Sequence, residues 1–173
     1  MTEINLTRWS DGPIAELSTE GRIDQVARAQ AIAVIAHHRQ VDKLGVAYIG
    51  HPAAVAARFD PMEQTLECCA AWLHDVIEDS AIDAGLLARA GLHAEVIEVV
   101  ALLTRRAGDG DDYYHRIAAH PAARAVKLSD IRHNTDSDRT RQLSVEARER
   151  LAVKYRHALD LLGEPRSTGS PDA

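Results

Sequence analysis

The chain has 173 residues, a length that favours one domain around a single core. Hydrophobic residues make up 46% of it but aromatics only 4%, so Ala, Leu, Ile and Val must fill that core, which suits packed helices better than a sheet. A net charge of −6 argues against nucleic acid as a partner, since phosphate backbones need a basic face, yet it leaves room for a local basic pocket around a small anion. Met1-Thr2-Glu3-Ile4 lacks the basic stretch and apolar block of a signal peptide. The longest apolar run, Ala31 to Ala36, is far too short to span a bilayer. The expectation is a soluble, cytoplasmic protein with no membrane partner.

Residues 1–18 show no clear period and read as an N-terminal arm, followed by a folded region over 19–163 and a disordered Pro/Gly/Ser-rich tail over 164–173. A helix is expected from Glu20 to Gln40, with Ile23, Val26, Ala29 or Gln30, Ala33 and His37 on one stripe. Gly45 to Gly50 reads as a loop, and His51-Pro52 opens the next helix, because proline is favoured in a first turn. Asp60-Pro61-Met62-Glu63 reads as a cap with an acidic first turn, starting a helix that carries His74 and ends near Asp79. Short helices are expected over 83–90 and 94–105, punctuated by Gly91. An acidic loop at 108–112 precedes helices over 113–119 and 122–135. Ser144 caps a last helix that stops near Leu162 at Gly163 and Pro165. No stretch alternates with period two long enough for a strand, so the fold is expected to be all-α, compact and single-domain.

His74-Asp75-Val76-Ile77-Glu78-Asp79 places four ionisable side chains directly after the apolar run Cys68-Cys69-Ala70-Ala71-Trp72-Leu73. Unpaired charges in such a setting are costly, and the nearest cations in sequence are Arg58 and Arg89. A divalent metal would solve the problem, because it takes imidazole and carboxylate together. On one continuous helix, Glu78 would lie a turn beyond His74 and Asp79 a turn beyond Asp75, so that one pair could grip an ion while the other handles a bound water. Further ligands must come from distant sequence. The best candidates are His51, beside Pro52, and Asp130, in the apolar stretch Ala125-Val126-Lys127-Leu128-Ser129-Asp130-Ile131. Imidazole with carboxylate suits Mn²⁺, Fe²⁺ or Zn²⁺ better than Mg²⁺ or Ca²⁺.

Other candidates read more plainly. Cys68 and Cys69 match no zinc spacing and read as buried reduced thiols. His37 reads as a packed, hydrogen-bonded histidine, and His38, His93, His115, His120 and His157 read as surface residues. Lys43, Lys127, Arg105 and Arg106 could bind substrate phosphates or simply be solvated or ion-paired. Tyr113 and Tyr114 could line a nucleotide pocket or anchor a short helix.

Tyr48-Ile49-Gly50-His51-Pro52, then His74-Asp75-Val76-Ile77-Glu78-Asp79, then Val126-Lys127-Leu128-Ser129-Asp130 with His133-Asn134, resemble the successive motifs of HD-domain metal-dependent phosphohydrolases. The nearest likeness is to the hydrolase domain of RelA/SpoT-type enzymes and the stand-alone small alarmone hydrolases, over about residues 37–137. The resemblance implies that His51, His74, Asp75 and Asp130 hold a metal, Mn²⁺, and that Glu78 and Asp79 orient and deprotonate the attacking water. It implies substrate contacts by Asn134, with His133 matching the pattern beside Asp130. The implied reaction removes pyrophosphate from the 3′ position of guanosine tetra- or pentaphosphate. Asp42 stands where the family has a basic residue expected to stack on guanine, and Ile131 and Asp136 stand in place of arginines. Arg39, a helical turn before Lys43, is the sequence's candidate for a replacement planar cation. Another nucleotide phosphohydrolase or nucleotidase, and a non-catalytic metal- or nucleotide-binding regulator, are the alternative readings; the Glu78-Asp79 pair argues against the regulator.

Overall fold

In the computed structural model, which describes residues 12–164, the apolar segment before His74 becomes the central helix α3, Thr65–Leu73. Cys68, Cys69, Ala70, Ala71 and Leu73 are all buried in it. All but Leu73 are small, so helices can approach α3 from several sides at once. It packs against α1 (Thr19–Ala36), α2 (Gly50–Ala56), α6 (Ala94–Leu103) and α8 (Pro121–Asn134). Enlarging a fully buried Ala such as Ala71 would overpack this crossing at a cost of about 1–3 kcal/mol. The remaining helices are α4 (Val76–Asp79), α5 (Ala84–Arg89), α7 (Asp112–Ala118), α9 (Ser137–Thr140) and α10 (Val145–Leu161).

The architecture is all-α, and among the described residues the one β-type pairing is an isolated bridge between Val41 and Ala47. Helix starts follow local chemistry. Ser18, Asp83 and Ser144 each accept a backbone N–H of the first turn, from Gly21, Leu86 and Ala147 respectively. Pro121 opens α8, where its missing N–H costs nothing. Gly91 and Gly163 adopt φ of 80° and 71° just past α5 and α10, the left-handed conformation that closes a helix. Among the described residues no helix is long and apolar enough to cross a membrane.

Several boundaries and faces differ from expectation. α1 stops at Ala36 rather than Gln40, because His37 turns inward to bond Gln40 and Arg39 takes a left-handed φ of 64°. Its buried stripe is Gly21, Gln25, Ala29 and Ala33, while Ile23 is 54% exposed. Hydrophobicity misplaces the face because Gln25 is a buried fastener: its amide donates to Gly91 O and accepts from His93 N. Asp60 does accept the N–H groups of Met62 and Glu63, but regular helix begins only at Thr65. The expected continuous helix to Asp79 is broken at His74–Asp75. His93 is buried rather than on the surface, capping α6 through Glu95 N and contacting Gly12 O. α9 is an element that the periodicity does not announce; Asp136 caps it by accepting from Asp138 N. Within the expected arm, Ile14–Glu16 forms a 3₁₀ turn with Ile14 in the core. Residues 1–11 of that arm, and 165–173 of the expected tail, lie outside the described residues.

Candidate metal centre

Three segments converge on one buried point. The start of α2 brings His51, the break after α3 brings His74 and Asp75, and the second half of α8 brings Asp130. His51 Nε2 lies 3.2 Å from His74 Nε2 and 3.2 Å from Asp130 Oδ1. Asp75 Oδ2 lies 3.0 Å from His74 Nε2 and 3.7 Å from His51 Nε2, and Asp130 Oδ1 lies 3.9 Å from His74 Nε2. Donors bound at about 2.1 Å to one ion lie roughly 3.0 Å apart when adjacent and about 4.2 Å apart when opposite. The observed spacings fall in that range, and ligand atoms of His51, His74 and Asp130 lie within 4.8 Å of one another, so the cluster fits a divalent cation.

The ring tautomers agree with this fit. α3 ends at Leu73, which leaves the Ala71 carbonyl among those without an intrahelical partner. His74 Nδ1 donates to it at 2.7 Å, so the neutral ring that a metal would bind turns its Nε2 lone pair toward the cluster. The break that the sequence hides is therefore what aims this imidazole. His51 Nδ1 meets His133 Nδ1 at 2.7 Å, so one ring must donate and the other accept. Burial, then the neighbouring His51, pulls the His133 imidazolium down to about 4. If His51 is the donor of that pair, its Nε2 lone pair faces the cluster, as a metal ligand requires.

Without an ion, the cluster's charges lean on one another. Burial works against a charged His74, but Asp75, its hydrogen bond and Asp130 outweigh it and lift the imidazolium to about 9. Burial likewise opposes ionised Asp75 and Asp130, yet the facing cations hold both carboxyls well below the usual range. The Tyr48 hydroxyl donates to Asp75 Oδ2. Asp130 divides its oxygens: Oδ1 faces the imidazoles and accepts from Asn134 Nδ2 at 2.5 Å, while Oδ2 meets Lys127 Nζ at 2.8 Å. The nearby cation missing from the local sequence is thus supplied by Lys127.

The cluster opens into a polar cavity of about 220 Å³ lined by Asp75, Glu78, Asp79, Arg105, Lys127 and Asp130 with Tyr48, Tyr113, Tyr114, Lys154 and Tyr155. Glu78 accepts from Arg105 N at 3.0 Å. Burial at the cavity wall, then repulsion from Asp75 and Glu78, raises the Asp79 carboxyl above its ordinary value. The Arg105 guanidinium sits over Tyr113 and Tyr114, 5.1 and 5.5 Å from the ring centroids. Both tyrosines are core residues and cavity walls at once. Lys43 and Asn134 line a second, adjoining cavity of about 270 Å³, which shares Tyr48 and Tyr155 with the first. Arg106 points its backbone N–H at Asp109, away from both linings. Arg39 is exposed, and the guanidinium in the second cavity belongs to Arg139.

The sequence reading gave no role to Tyr48, Arg139, Lys154 or Tyr155. Tyr48 is quoted within a motif, and Lys127 with Asp130 is an (i, i+3) pair on one helix face, so those two carried a legible signal. Cys68 and Cys69 are free, buried thiols, and burial pushes the Cys68 thiol up to about 11.

No protein-family model matches the sequence, and no curated protein matches it significantly. Among solved structures, the chain is similar to a metazoan ortholog of SpoT described as hydrolysing ppGpp and playing a role in starvation responses. The likeness has a TM-score of 0.64 at 21% identity and covers 83% of this chain and 86% of that one. The likeness is one of fold, and that fold is all-α, as the sequence predicts.

Proposed function

We propose that this protein is a metal-dependent phosphohydrolase acting on a phosphorylated nucleotide, and that its substrate is guanosine 3′,5′-bis(diphosphate), from which it removes the 3′-pyrophosphate. The observation that carries the reading is the convergence of His51 Nε2, His74 Nε2, Asp75 Oδ2 and Asp130 Oδ1 at the floor of a cavity whose wall holds Glu78, Asp79, Arg105 and Lys127. The ppGpp-hydrolysing activity of the structural neighbour supports the same class of substrate.

His51, His74, Asp75 and Asp130 would hold Mn²⁺, with Fe²⁺ or Zn²⁺ as the alternatives for a mixed imidazole–carboxylate set. When bound, the ion supplies a water of lowered pKa and polarises a phosphoryl oxygen. Asp79, whose pKa is raised at the cavity wall, would take a proton from the attacking water, and Glu78 would orient it. Water oxygen would bond to the 3′-phosphorus as the bond from that phosphorus to the ribose 3′-oxygen breaks, and the proton taken from the water would pass to the departing 3′-oxygen, giving GDP and pyrophosphate. Arg105, held over two tyrosine faces, offers its guanidinium to the diphosphate. Lys127 balances Asp130 and adds positive potential to the same wall. Asn134 and Lys43, at the second cavity, contact the nucleoside side of the substrate.

The test is a Mn²⁺-supplemented hydrolysis screen over guanosine tetraphosphate, nucleoside 5′-monophosphates and cyclic nucleotides, with Asp75→Ala as the control. Release of GDP and pyrophosphate from guanosine tetraphosphate, absent in the control, is the expected result. Turnover of 5′-monophosphates alone would move the protein to the nucleotidases, and metal binding with no turnover would favour a regulator.

A further inference from the structure

The second cavity carries an ion pair that the catalytic reading does not use. Asp42 follows the turn after α1, and its Oδ1 accepts the N–H groups of Leu44 and Val46 at 2.9 and 3.1 Å. Its Oδ2 faces Arg139 Nη2 of α9 at 3.2 Å, across 97 residues of sequence. The Asp42 side chain is 11% exposed and that of Arg139 32%, so the pair sits in the wall rather than on the outer surface. Asp42 has committed both oxygens. Arg139 has not: a guanidinium carries five N–H donors, and among the described residues its one hydrogen-bond acceptor is Asp42.

We propose that Arg139, anchored by Asp42, is the residue that selects a guanine base in this cavity. The inference rests on the reading of the neighbouring cavity as the phosphate and metal side. With the phosphates there, the base points across Tyr48 and Tyr155, the residues the two cavities share, into the second cavity. Its other walls include Leu44, Leu143 and Leu151, apolar surfaces suited to a flat ring. Guanine presents two adjacent acceptors, O6 and N7, which a guanidinium meets with two parallel donors. Adenine presents a donor, N6, beside N7, and that donor opposes the cation. The carboxylate at position 42 does not remove base recognition; it holds the arginine that performs it.

Two variants separate the anchor from the reader. Arg139→Ala removes the donors, whereas Asp42→Asn keeps an oxygen for the Leu44 and Val46 amides and removes the ionic hold. Two measurements are made on the Mn²⁺-loaded protein and both variants. One is calorimetric binding of GDP and ADP; the other is kcat/KM for guanosine tetraphosphate and its adenosine analogue. The wild type should prefer guanine by on the order of tenfold or more, a range that one bidentate arginine contact supplies. Arg139→Ala should bring both ratios close to one with the loss carried by KM, and Asp42→Asn should lower them partway. Arg139→Lys should not restore the preference, since an ammonium lacks the planar fork. A wild type without preference, or an unchanged ratio in Arg139→Ala, overturns the inference while leaving the hydrolase reading intact. A GDP-over-ADP preference that collapses in Arg139→Ala, in a protein that cleaves neither 3′-diphosphate, upholds the inference and removes the proposed reaction.

Discussion

The two adjoining cavities are built by different means, although they share Tyr48 and Tyr155. The cluster side takes His51, His74 and Asp130 from segments locked to α3, and all three are about 95% buried or more. Their rings and carboxylates are held by interactions with one another and with Ala71, His133 and Lys127. The other side draws Asp42 and Lys43 from the turn after α1, Arg139 from the four-residue α9, and Leu151 and Tyr155 from α10. What fixes it is one ion pair, the hydrogen bonds that Asp42 accepts from Leu44 and Val46, and a few apolar contacts. A core-anchored group can change its identity only by breaking the core, whereas a residue on a turn can be replaced by one from another element. The proposed roles follow this division, with chemistry on the core-anchored side and selectivity on the side built from turns and short helices.

The largest expected effect is on the rigid side. Asp75→Ala removes a donor 3.0 Å from His74 Nε2, and metal retained by the purified protein should fall to background in elemental analysis, with activity lost. Metal content equal to wild type would show that the ion, if any, lies elsewhere. Next come Glu78→Gln and Asp79→Asn, which should keep the metal and lose about 10²–10⁴-fold in turnover, as expected of general acid–base groups. Near-normal rates in both would mean that the base is another residue.

Lys127→Ala tests whether the cluster is charge-balanced from within. Removing one partner of a buried pair should destabilise the metal-free protein by about 3 kcal/mol, and Mn²⁺ should restore part of that loss in denaturant melts because it compensates Asp130. Equal losses with and without metal would separate the lysine from the cluster.

pH supplies a further test in the metal-free state. The His74 imidazolium is raised from 6.5 to about 9, so its contribution to stability is fully present below pH 6.5 and is lost as pH rises through about 9. The denaturation midpoint of the metal-free protein should fall over that window, and bound metal should flatten the fall, since the metal requires the unprotonated ring. The smallest effect belongs to the adaptable side. Ser144→Ala removes the α10 cap and should cost about 1 kcal/mol of stability, with a rise in KM through Leu151 and Tyr155 rather than a loss of metal.

Legibility in the sequence followed the same division. Helices announced by caps and breakers were readable: Ser144 and Gly163 bracket α10, and Pro121 opens α8, as expected. The apolar run through Leu73 announced a buried helix with charge at its end, and the ordered motifs pointed to His51, His74, Asp75 and Asp130, which the structure brings together. The face of α1 was misread because hydropathy ranks Ile23 above Gln25. Whether a buried amide can be satisfied depends on Gly91 and His93, some 66 and 68 residues away.

Composition, periodicity and motif order by themselves determined an all-α chain with imidazole and carboxylate groups set at the end of an apolar helix, because those properties are written in local spacing. Tertiary structure alone decided that the helix breaks at His74. It alone decided that His133 meets His51 and that Arg139 rather than Arg39 stands at Asp42. Each of these is a meeting between groups far apart in the chain or a backbone turn without a breaker residue. Electrostatic and hydrogen-bond energies depend on distances of a few ångströms, and only packing creates those distances.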